Sequence, residues 1–156
     1  MSDLLAPIMS RYTNFAMTGD GIPEINSLAY MPFESGYPDP LPTQRLALVL
    51  VEPRLQDPAG NPALRTDLVR CLQRFKGDLR AEGLFSRFIT ANLYGGSVHK
   101  DGRIVLALRR FFRDVRGSFA NFEGVVLIGN FPEATLVRTV SWCPGFLNPR
   151  QLAIWP

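Results

Sequence analysis

Phe122-Glu123-Gly124-Val125-Val126-Leu127-Ile128-Gly129-Asn130-Phe131-Pro132 contains an apolar run, Val125 to Gly129, with no polar alternation. Such a run suits a strand buried on both faces, as in a parallel sheet covered by helices. Gly129-Asn130-Phe131-Pro132 then forces a sharp turn and leaves a polar side chain at the carboxyl end of the strand. In open α/β sheets, ligands bind at that edge.

The segments before it alternate in kind. Leu46 to Val51 reads as a buried strand closed by Glu52-Pro53. Asn61 is a good N-cap and Pro62 suits the first helical position. Leu64, Leu68, Cys71, Leu72, Phe75 and Leu79 recur at helical spacing, and Gly83 supplies a C-cap. This stripe places Cys71 in the core. Ser86 to Tyr94 is a second strand, and the loop from Tyr94 to Asp101 follows it. Ile104, Val105, Leu108, Phe111, Phe112 and Val115 mark one face of a second helix, which Gly117 can end. The order is β-α-β-α-β, which predicts parallel strands with helical crossovers. The expected fold is α/β and three-layered, with a short, mainly parallel sheet in flavodoxin-like or caspase-like order. Strands are expected near 46–52, 87–93 and 124–131, and helices near 62–82 and 102–116. Leu68, Leu72, Phe75, Leu108, Phe111 and Val126 are expected in the core.

Residues 1–44 differ in composition. Pro23, Pro32, Pro38, Pro40 and Pro42 exclude long helices and central strands, yet Phe15, Ile25, Leu28 and Phe33 are too apolar for a free tail. An arm over residues 1–44, packed on the domain or on another chain, is expected to precede an α/β domain over 45–156. A further extended segment, Thr135 to Trp142, has no helix before it and is expected to run antiparallel or leave the sheet. Leu147 to Pro156 ends on apolar residues, so either this tail and the N-terminal arm are expected to complete the fold, or the chain is expected to be part of a longer polypeptide.

The bulk numbers narrow the function classes. At 156 residues, with 46% hydrophobic and 20% charged residues, the chain fits one soluble globular domain. No stretch approaches the roughly 20 apolar residues of a membrane span. Two cysteines make no disulfide framework, and a reducing cytoplasmic setting is the default. The net charge of +3 is mildly basic. Arg103, Arg109, Arg110, Arg113 and Arg116 give the second helix a basic side, but no aromatic residues interleave for base stacking. Nucleic acid is therefore not expected, whereas another protein chain is.

The segment Phe122 to Pro132 resembles the glycine-bracketed third strand of gingipain-type, caspase-like cysteine peptidases, and the order of elements over residues 45–140 is similar. The resemblance implies the N-terminal half of such a domain, or a degenerate relative that does no catalysis alone. In that family the catalytic His and Cys follow later strands, and an acidic residue commonly stands where this chain has Asn130. No catalytic residue is carried over.

His99, the only histidine, lies in the loop after the second strand, where a pKa near neutrality suits proton transfer. The same position suits a solvated loop histidine. Cys143, in Ser141-Trp142-Cys143-Pro144-Gly145, could act as a nucleophile only if His99 folded against it. The alternative is a small apolar residue in a turn. Glu52, Tyr94, Ser97, Asn130 and Glu133 collect at the expected strand carboxyl ends as binding candidates. Neither a phosphate-binding glycine motif nor a zinc spacing is present, so no cofactor or metal is expected.

Overall fold

A computed structural model describes residues 4–13, 25–56, 62–93, 102–131, 137–139 and 152–154. Its centre is β2, Leu46–Val51, in which every residue is buried. Leu46, Leu48 and Leu50 point to one face of the sheet, and Val49 and Val51 to the other. A continuous apolar run results because both faces must be filled.

β2 pairs in parallel with β3, Phe85–Asn92, on one side and with β4, Phe122–Ile128, on the other. An antiparallel strand, β1 (Ser27–Tyr30), adds to the outer side of β3, so the sheet order is β1-β3-β2-β4. Two helices lie over the Leu48 face. They are α1, Leu5–Thr13, which contributes Leu5, Ile8 and Met9, and the longer α4, Gly102–Ser118, with Ile104, Leu108, Phe111 and Val115. A four-residue turn of helix, α2 (Pro53–Gln56), follows β2 directly. The opposite face is covered by α3, Pro62–Ala81, through Leu68, Leu72, Phe75 and Leu79. Val137–Thr139 (β5) leaves this sheet and pairs antiparallel with Leu152–Ile154 (β6) in a separate ribbon.

Chain geometry explains the end of α3. Gly83 adopts φ 74°, its N–H donates to the Arg80 carbonyl, and the Leu84 N–H donates to the Leu79 carbonyl. Those two bonds satisfy carbonyls that the helix end would otherwise orphan, and only glycine takes that backbone without strain.

Two sequence expectations need correction. The apolar run in β4 is an edge strand, not one buried on both faces; Val126 is 37% and Leu127 44% exposed. Apolar character alone does not tell an inner strand from an edge strand, and among the described residues β4 has a neighbour on one side only. Cys71 is exposed, because the buried line of α3 runs through Leu68, Leu72, Phe75 and Leu79 and leaves residue 71 to one side. Residues 25–30 contribute Ile25 and Leu28 to the core and a strand to the sheet. The Asn61 cap lies outside the described residues.

Candidate functional site

Among the described residues, three places bring polar chemistry or exposed apolar surface together. The first is the carboxyl edge of the sheet. The crossover through α3 leads to one side of β2 and the crossover through α4 to the other, so β2 and β4 flank the point where the connections diverge. In such sheets this crevice is the usual ligand position. Here the Glu52 side chain fills it. Its Oε2 accepts the Asn130 N–H at 2.8 Å, and its Oε1 accepts from Arg54 Nε. Glu52 is buried while Arg54 stays exposed, so the carboxylate is held between a backbone donor and an exposed cation. Gly129, at φ 122°, passes so close that a Cβ there would lie 2.5 Å from the Glu52 Cβ. Nearby, Gln56 Nε2 donates to Thr90 Oγ1 at 2.7 Å. Of the candidates at this edge, Glu52 and Asn130 are thus in contact. Tyr94, Ser97, His99 and Glu133 lie outside the described residues, as does Cys143.

The second place is a buried ionic cluster that the sequence reading missed. β1 ends at Tyr30, which leaves the outer edge of β3 without a strand from Phe88 back toward Phe85. Glu34, at the end of the 3₁₀ turn Pro32–Glu34, fills part of that gap: its Oε1 accepts the Phe88 N–H at 3.2 Å. Lys76 from α3 donates to the Ser86 carbonyl at 3.1 Å and to Glu34 Oε1 at 2.6 Å. The pair therefore supplies one acceptor and one donor, as a neighbouring strand would. Arg87 completes the cluster. It meets Glu34 Oε2 at 2.9 Å and Asp39 Oδ1 at 2.7 Å, and it donates to the Tyr37 and Pro38 carbonyls. Burial pushes the Lys76 ammonium below its ordinary value, and the Glu34 hydrogen bond and charge oppose that shift. A cleft of about 470 Å³ opens alongside, with Tyr37, Lys76, Arg80 and Ser86 in its wall. The geometry is that of a clasp on the sheet edge. Its signals in the sequence were an arginine inside an apolar strand and a lysine four residues after Leu72 on a buried stripe.

The third place is the outer side of β4. Register with β2 turns the backbone groups of Gly124, Val126 and Ile128 inward, as the bond from Glu52 N–H to the Ile128 carbonyl shows. The N–H and C=O groups of Val125 and Leu127 therefore face away from β2, and among the described residues no strand pairs with them. A groove of about 690 Å³ lies beside the start of this strand, at Phe122 to Gly124. Phe112 and Phe122 are in its wall, with Arg109, Arg113 and Arg116 of α4 along one side.

Among the described residues no group of three or more His, Cys, Asp or Glu side chains could hold a metal ion, and no helix is long and apolar enough to cross a membrane. No family model matches the chain, and no curated protein or solved structure matches it either.

Proposed function

We propose that this chain is a non-catalytic binding module that accepts a strand from another polypeptide along the outer side of β4. The observation that carries this reading is an edge strand with Val126 and Leu127 both exposed. Natural sheets blunt such edges with charge, proline or a covering element, because an open row of backbone groups recruits other strands. β4 has one charged residue, Glu123, at its bulged start, and no proline. Strand addition uses main-chain bonds for affinity and alternate side chains for specificity.

The ancestry we propose is a partial or degenerate caspase-like cysteine peptidase domain. Along the chain, the three parallel strands are arranged second, first, third, and this supports the kinship. In that family the sheet continues past the third strand toward the catalytic His and Cys. The incoming strand would take the place of that continuation.

A photoreactive side chain at position 127, compared with one at the exposed Leu64 on α3, tests the reading. Position 127 should label one defined segment of a partner. That segment, synthesised, should slow hydrogen exchange at the Val125 and Leu127 amides. Identical products from both positions, or no protection of those amides, would overturn it.

A second reading, small-molecule binding at the strand carboxyl ends, is favoured by Glu52 and Asn130 meeting in the crevice between β2 and β4. It expects Glu52→Gln to weaken ligand uptake without touching the β4 edge.

A further inference from the structure

The groove beside β4 gives the partner a chemistry, and this inference rests on the strand-addition reading above. Arg109, Arg113 and Arg116 recur along α4 on the side that overhangs the edge. None of the three is paired with a carboxylate among the described residues. The acids close by are already engaged: Glu123 by Arg45 at 2.8 Å, and Asp114 by the Tyr12 hydroxyl at 2.8 Å. The groove therefore holds a row of cations over an apolar wall of Phe112 and Phe122, and it meets β4 at Phe122 to Gly124, just before the outward-facing groups of Val125 and Leu127.

The two faces of the edge differ. Val125 and Leu127 lie opposite Leu48 and Leu50, on the α4 face, while Val126 and Ile128 lie opposite Val49 and Val51, on the α3 face. A strand added here places alternate side chains on those two faces. One set meets the arginines, and the other meets the exposed Val126. We infer that β4 docks a strand in which acidic residues alternate with apolar ones, the acids lying on the α4 side.

A second copy of this chain is a poor occupant. Two β4 strands joined edge to edge about a two-fold axis would bring the two α4 helices side by side on one face. Their arginine rows would then repel, and like charges set against each other are a common device against wrong partners. The net charge of +3 acts in the same direction.

The test uses labelled probe peptides of about six residues, the usual strand length, alternating valine with glutamate, glutamine or lysine. Binding is followed by fluorescence anisotropy, and amide exchange at Val125 and Leu127 is read in parallel. The glutamate probe should bind about tenfold tighter than the glutamine probe, as expected for two or three partly screened ion pairs, and the lysine probe more weakly still. That advantage should vanish near ~0.5 M salt, where screening is short-ranged. The double variant Arg109→Glu/Arg113→Glu, on the exposed side of the helix, should invert the order of the probes. Equal affinity of all three probes with both amides protected would overturn the acidic preference and leave strand addition standing. Glutamate-dependent binding without amide protection would overturn both readings, as would no protection by any probe at about 1 mM.

Discussion

Glu34 sits at the centre of a buried ionic set. It faces Lys76, Arg87 and the Phe88 N–H with a side chain that is 1% exposed. Removing one member of a buried ionic set leaves the others desolvated and uncompensated, which typically costs about 3–5 kcal/mol. Glu34→Ala should therefore lose about that much in urea melts. Lys76→Met should lose clearly less, because Glu34 keeps Arg87 and its backbone donor. Equal losses in the two variants would show that the carboxylate is not the hub. pH separates two further groups. Burial, helped by the hydrogen bond and charge of Asp114, pushes the Tyr12 hydroxyl up from 10.0 to about 12. A raised folded value means that its contribution is complete below pH 10 and is lost as pH rises toward 12. The stability gap between the parent chain and Tyr12→Phe should thus close over that window in alkaline thermal melts. Lys76 has the opposite sign. Its folded value is lowered, so the burden of keeping it charged is relieved as pH rises toward 10.5, and Lys76→Met should remove that gain.

At the scale of elements, two glycines separate backbone strain from collision. Gly83→Ala meets no atom within 4 Å and suffers only from its positive φ, at about 1–2 kcal/mol. Gly129→Ala adds a Cβ 2.5 Å from the Glu52 Cβ, so it should destabilise more than Gly83→Ala in the same melts. In the core, Phe111 is fully buried and Phe75 only partly, so Phe111→Ala should cost about 3–5 kcal/mol and Phe75→Ala less. A larger loss at Phe75 would mean that the α3 face carries the core. These elements were legible because their patterns are local. A stripe at helical spacing gave α3 and α4, continuous apolar runs gave β2 and β4, and Gly83 marked the end of a helix. The edge position of β4 was not legible, since it depends on what pairs with it across the sheet. The Glu34 clasp was hidden for a similar reason, its members being 42 and 53 residues apart in the chain. At the candidate site, the contact of Glu52 with Asn130 follows from strand order. The arginine row was visible, but its place beside an open edge was not.

For the whole molecule, the exposed apolar side of β4 is an open template for association. Leu127→Lys places a charge on that edge without removing a bond to β2, so it should slow aggregation in light scattering on heating. Its melting temperature should stay close to that of the parent, as for a surface change worth about 0.5 kcal/mol or less. A large fall in melting temperature would mean that Leu127 supports the core instead. The packing of α1 has a further consequence, which concerns synthesis. Leu5, Ile8 and Met9 are synthesised well before Phe111 and Val115 of α4, with which they share a core. Contacts so distant in sequence close slowly, and apolar surface left waiting is prone to aggregate. The apolar face of α1 therefore stays uncovered until α4 has been made, and in that interval the growing chain can stick to other apolar surfaces.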